Sequence, residues 1–172
     1  MAEISVSQSG INIPQFLDLI AFSEGTSTSP ITQDRGYDVI VSGIDGPHRM
    51  AHYNTHPFCV TPPRGPITVR LGPPELESTA SGRYQLLARY FLVYEAQLGL
   101  SDFSPLSQDL ICIQQLRECR AVPMIEAGNI EGAIQAASSR WASFPGNTDG
   151  QGGKTLSALM TQWNSIQNES LT

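Results

Sequence analysis

Lysine is almost missing from this sequence. Of its ten basic residues nine are arginine, and Lys154 is the single lysine. Sixteen acidic residues set against them leave a formal net charge of −6. No basic cluster stands out, which excludes the electrostatic footprint of a nucleic-acid-binding protein. Long apolar runs are missing as well: nothing approaches the roughly 20 residues a membrane span requires, so stable membrane insertion is not expected. Cysteine is sparse and odd in number, with Cys59, Cys112 and Cys119 and no Cys-x-x-Cys. That argues against a disulfide framework and against a zinc ribbon. The N-terminal Met-Ala-Glu-Ile-Ser-Val-Ser-Gln-Ser-Gly has neither a basic region nor an apolar run. A secretory signal is therefore not expected, and synthesis in a cytoplasm is. Internal repeats and coiled-coil heptads are absent too.

What is present describes one globular domain over 1–172, 40% hydrophobic and 15% charged. The chain is organised around Pro14–Gly25. Ile13, Phe16, Leu17 and Ile20 recur at the spacing of one buried helix face. Asn12 is placed to cap this helix, Pro14 suits its first turn, and Gly25 stops it. Glu24 is the next step on the apolar face, so an ionisable group stands where the pattern asks for an apolar one. It also stands at the helix C-terminus, where the macrodipole disfavours a negative charge. Both effects favour the protonated carboxyl, the form a general acid needs. The alternative is an ordinary surface glutamate at a frayed helix end.

Residues 26–35 read as a polar loop. Gly36-Tyr-Asp-Val-Ile-Val-Ser-Gly43 is β-branched, aromatic and bounded by glycine, so it reads as a strand. Residues 44–77 are rich in proline and glycine. They predict an irregular β lobe with short extended pieces at Phe58-Cys-Val and Ile67–Leu71. Helices are expected over Arg83–Leu98, Leu106–Arg120 after a Ser104 cap, Val122–Glu126, Ile130–Trp141 after an Asn129 cap, and Lys154–Gln167. Phe144–Gly153 reads as a loop. The fold class is α+β: a large helical lobe, a small β lobe at about 36–77, and a cleft between them that Glu24 faces.

Cys112 and Cys119, seven apart on one predicted helix, are expected to face the core. His48, His52 and His56 are spaced by four, but Pro47 and Pro57 flank them and the stretch is not helical. A surface loop is expected there, with no metal site. Asp38, in the predicted strand, is the best second acidic group; it either binds substrate or holds the β lobe together. Tyr84 and Gln85 offer a ring for stacking and an amide for hydrogen bonding to a substrate, though Tyr84 is more at home as a core aromatic.

Several segments together carry a resemblance. They are Leu17-Asp-Leu-Ile-Ala-Phe-Ser-Glu-Gly-Thr26, Gly36–Gly43, His56-Pro57 and Ser78-Thr-Ala-Ser-Gly-Arg-Tyr-Gln-Leu-Leu87. Further on come Leu98–Asp109, Pro123–Ile130 and Trp141-Ala-Ser-Phe-Pro-Gly146. In that order the chain resembles the lambda-type phage endolysins, lytic transglycosylases with a lysozyme-like fold. The resemblance implies that Glu24 of Ser-Glu-Gly-Thr is the catalytic acid. It also implies that the Gly-Arg-Tyr-Gln segment opens a helix beside the cleft and that Gln85 binds sugar. The implied substrate is the glycan strand of peptidoglycan, cut in the periplasm or cell wall with no cofactor, by a monomer exported with the help of a holin. The chain departs from the family in a longer β lobe, in Asp149 where the family favours tyrosine, and in its acidic charge. Three alternatives stand beside this reading: a hydrolytic muramidase, a zinc amidase or peptidase built on the histidines, and a non-catalytic cell-wall or phage-particle component.

Overall fold

The structure is a computed structural model that describes residues 1–62, 64–71, 73–146 and 153–170. Asp149 and most of the loop that contains it lie outside the described residues. The chain divides into two compact units, Met1–Gly25 with Asp109–Thr172, and Thr26–Gln108. No described helix is long and apolar enough to cross a membrane.

The first unit is helical. It holds α1 (Val6–Ser9), α2 (Ile13–Ser23), most of α4 (Pro105–Glu118), α5 (Val122–Glu126), α6 (Ile130–Ala137) and α7 (Leu156–Glu169). The periodic face of α2 is its core: Ile13, Phe16, Leu17 and Ile20 are all fully buried. Burial of such side chains stabilises the unit by roughly 1.5–3 kcal/mol each. The Phe16 ring meets Phe144 edge-on at 6.2 Å and lies 6.4 Å from Trp163 of α7. The predicted Asn129 cap forms, its side chain accepting from the Gly132 amide at 3.1 Å. Thr155, which the sequence pattern does not single out, caps α7 by accepting from the Ala158 amide at 3.2 Å.

The Asn12 cap does not form. Asn12 adopts φ 64°, and its side chain donates instead to the Ile125 carbonyl at 3.1 Å. A partner on α5 outcompetes the local amides. The last predicted turn of α6 is also lost, because the Ser138 hydroxyl turns back onto the Gln135 carbonyl at 2.8 Å. Cys112 is buried as expected, but Cys119 is only half-buried.

The second unit contains two antiparallel hairpins. β1 (Val39–Gly43) pairs with β2 (Gly46–Arg49), and β3 (Ile67–Arg70) pairs with β4 (Leu76–Ser78). It also contains α3 (Ala88–Leu98), which the sequence pattern groups with the helical lobe. β1 starts three residues later than expected. Residues 34–38 form a turn, with Tyr37 and Val39 amides bonded back to Asp34 and Gly36 carbonyls at 2.9 and 3.2 Å. Asp38 therefore precedes the strand rather than lying in it. Phe58-Cys-Val is not a strand; it follows His56 in a turn closed by the Cys59 amide on the His56 carbonyl at 2.8 Å.

The other edge of β1 is bonded to residues 80–82. The Val41 amide donates to Ala80, and the Gly82 amide donates to Val39 at 2.7 Å. Ser81 and Leu86 then exchange two backbone hydrogen bonds of 2.9 Å each. This pairing turns Gly82–Gln85 into a closed loop, so the helix expected from Arg83 begins only at Ala88. Gly82 at φ 78° and Gln85 at φ 52° are both left-handed, a conformation no helix accommodates.

Candidate active site

Glu24 caps α2, its amide bonded to the Ile20 carbonyl at 2.9 Å. Gly25 follows at φ 73°, a left-handed position that ends the helix with no side chain to strain. The Glu24 residue is half-buried. Burial of its carboxyl pushes the pKa up to about 6, against a smaller downward pull from a hydrogen bond to Ser143. A carboxyl with that pKa holds its proton in mildly acidic conditions and gives it up near neutrality. It can act as an acid and then, ionised, as a base.

Ser143 lies 119 residues further on and reaches Glu24 because Phe144, buried beside it, packs on Phe16 of α2. Its hydroxyl donates to Glu24 Oε1 at 2.6 Å. Its own carbonyl accepts from the Ser23 hydroxyl at 3.1 Å and from the Lys154 amide at 3.0 Å. No sequence pattern singles out Ser143, though it sits in the quoted segment Trp141–Gly146.

The other expected residues belong to the second unit. Asp38 is 3% exposed. Its Oδ1 accepts from the Thr32 hydroxyl at 2.5 Å, and its Oδ2 accepts from the Gln33 amide at 2.9 Å and faces Arg49 Nη1 at 3.5 Å. Tyr84 is 5% exposed and meets Tyr37 edge-on at 6.3 Å. The Arg83 guanidinium lies 5.0 Å above the Tyr37 ring and donates to the Arg35 carbonyl. Gln85 is half-buried, and its amide nitrogen donates to the Gly82 carbonyl at 3.0 Å. Gln108, also missed by sequence reasoning, ties this region together. It donates to the Tyr37 and Phe103 carbonyls at 3.1 and 2.9 Å and accepts from the Arg83 amide at 2.8 Å.

His56 is not on a surface loop. It is fully buried among Phe58, Phe91 and Phe103, with its Nε2 donating to the Leu86 carbonyl at 3.0 Å. Burial lowers its pKa to about 4, so the ring is neutral. His48 Nε2 instead faces Asp45 at 2.9 Å. Among the described residues no group of three His, Cys, Asp or Glu is placed to hold a metal ion.

A sequence profile of the Endolysin family matches residues 14–169. This chain belongs to the endolysin family. It is 48% identical over 153 residues to an endolysin of Escherichia phage P2, across 88% of this chain and 90% of that one. It is 46% identical over 137 residues to an endolysin of Escherichia phage lambda, across 79% of this chain and 78% of that one. Among solved structures it is similar to bacteriophage lambda lysozyme complexed with a chitohexasaccharide. That match has a TM-score of 0.81 and 40% identity and covers 97% of both chains. A second structure, lysozyme from bacteriophage lambda, matches with a TM-score of 0.70 and 39% identity, over 98% of this chain and 94% of that one. The fold of this endolysin is thus α+β, as its sequence pattern implies, and lysozyme-like, as the resemblance implies.

Proposed function

We propose that this endolysin degrades the peptidoglycan of a phage host as a lytic transglycosylase, with Glu24 as its acid and then its base. The observation that carries the reading is the half-buried Glu24 carboxyl, held by a serine and protonated up to about pH 6. Protonated Glu24 gives its proton to the glycosidic oxygen between MurNAc and GlcNAc as the C1–O bond breaks and an oxocarbenium-like state forms. The ionised carboxylate then takes the proton of the same muramic acid's C6 hydroxyl, whose oxygen closes onto C1. The nucleophile is tethered, so its effective concentration is high and no water is consumed.

A hydrolase usually needs a second carboxylate for water or for direct attack. The acids of the early β region are engaged elsewhere. Asp38 serves Thr32, Gln33 and Arg49, Asp34 accepts from the Tyr53 hydroxyl at 2.7 Å, and Asp45 faces His48. This favours the tethered hydroxyl over a hydrolytic muramidase. Glycan strands remain the proposed partner. The lambda lysozyme bound to a chitohexasaccharide supports this, a sugar oligomer being what that relative holds.

Asp38, Tyr84 and Gln85 are the proposed substrate-binding set, with a division of labour drawn from their exposure. Gln85 has surface to offer a sugar, whereas Asp38 and Tyr84 act through the backbone they hold. The wall side of the host membrane is the proposed place of action, reached through a holin. The test is a digest of purified cell walls with the muropeptides weighed. Every cut should leave an anhydro-muramic end, one water lighter than a hydrolytic product, and Glu24→Gln should lower the rate at least a hundredfold. Ends that borohydride reduces at every cut would show a muramidase.

A further inference from the structure

We propose that Ser143 is a positioning residue for Glu24, occupying carboxyl oxygen Oε1 so that Oε2 alone faces the substrate and carries the proton. The inference rests on the reading of Glu24 as the acid. A carboxyl at a helix end has three rotatable bonds and two equivalent oxygens, so nothing local decides which oxygen meets a sugar. The Ser143 hydroxyl removes that equivalence with a 2.6 Å hydrogen bond to Oε1. When Glu24 is ionised the hydroxyl must donate, since a carboxylate has no proton to give. When Glu24 is protonated, Oε1 remains the acceptor and the proton resides on Oε2.

Ser143 is held more firmly than a loop serine needs to be. Trp141 and Phe144, on either side of it, are buried at 3% and 1% exposure. Its carbonyl takes two donors, the hydroxyl of Ser23 next to Glu24 and the amide of Lys154. Gly153 passes so close that an added Cβ would stand 2.6 Å from that carbonyl oxygen. The chain on both sides of residue 143 is thereby fastened to the end of α2, and the hydroxyl is the part left to meet the carboxyl.

The same bond favours the ionised form and so keeps Glu24 able to release its proton and take one back. Charged side chains do not enter this balance: burial and Ser143 are the influences on Glu24. Of the charged groups on neighbouring elements, Lys154 Nζ lies 4.8 Å over the Phe22 ring, and Glu126 of α5 sits against Gly10 at the opposite end of α2. Asp18 lies earlier on α2 and Glu169 at the far end of α7, while α1 carries no titratable side chain.

The experiment compares full-length wild type, Ser143→Ala and Ser143→Thr. The Glu24 carboxyl is followed by carbon-13 NMR against pH, with Glu24→Gln to assign the signal, and kcat and KM are measured across the same range. Ser143→Ala should raise the Glu24 pKa by about one unit, move the basic limb of kcat/KM up with it, and lower kcat about tenfold at little change in KM. Ser143→Thr, which keeps the hydroxyl, should restore both. An alanine variant with an unmoved pKa, or a threonine variant that behaves like alanine, overturns the role of Ser143 alone. A pKa that moves while the basic limb stays overturns Glu24 as the acid, and the positioning role with it.

Discussion

Glu24 carries a cost that its neighbours on the same helix face do not. Ile13, Phe16, Leu17 and Ile20 gain stability from burial, but Glu24 resists it whenever it is charged. Its pKa is 4.5 in an unperturbed chain and about 6 in the folded one. The folded protein therefore holds the proton more tightly than the unfolded chain. The stability this adds is fully present below about pH 4.5 and is lost as the pH rises through about 6. The loss is at most about 2 kcal/mol. Glu24→Gln keeps the shape and the Ser143 contact but does not ionise. Its urea-unfolding stability should match wild type at pH 4 and exceed it at pH 8 by up to about 2 kcal/mol, with catalysis lost at both. A variant less stable than wild type at pH 8 would show that the charged carboxylate is a structural asset. The pH profile of the wild type should follow the same group: kcat/KM should fall tenfold per unit above about pH 6.

At the scale of elements, the tightest device is the loop that Ser81 and Leu86 close. Gly82 sits in it at φ 78°, and an added Cβ would stand 2.3 Å from Gln108 Oε1 and 3.0 Å from the Phe103 ring. Gln108 cannot yield cheaply, since it is 3% exposed and satisfies three backbone groups. Gly25 has nearly the same φ of 73°, yet a Cβ there meets nothing within 4 Å. The pair separates backbone strain from packing. Gly25→Ala should cost about 1–2 kcal/mol, the left-handed penalty alone, while Gly82→Ala should cost roughly 3–4 kcal/mol by adding the disturbed Gln108 network. Equal losses in urea unfolding would mean that Gln108 moves aside freely. The same loop explains why the helix read from Arg83 onward starts late. Its residues suit a helix, and a backbone pairing across the loop overrides them.

For the molecule as a whole the net charge of −6 matters most. Peptidoglycan carries free carboxylates, so enzyme and wall repel each other, and salt screens that repulsion over about 10 Å at 0.1 M. The rate of lysis of purified walls should rise severalfold between about 10 and 150 mM NaCl at pH 6. A falling rate would reveal a local cationic docking face that the net charge hides. What the sequence by itself determined is what depends on neighbours along the chain. The apolar face of α2 and the placement of Glu24 on it follow from helical spacing, and the Asn129 cap follows from a side chain that reaches only three residues ahead. The quoted motifs, from Ser-Glu-Gly-Thr to Trp-Ala-Ser-Phe-Pro-Gly, carried the family. Tertiary structure alone decided the groups whose partners are distant. Ser143 reaches Glu24 from 119 residues away, Asn12 leaves its own helix for Ile125, and His56 is buried by rings from three separate segments. A serine, an asparagine or a histidine looks the same in sequence whether it faces water or a buried partner. Its role is set by which surface folding brings against it, and no local periodicity encodes that.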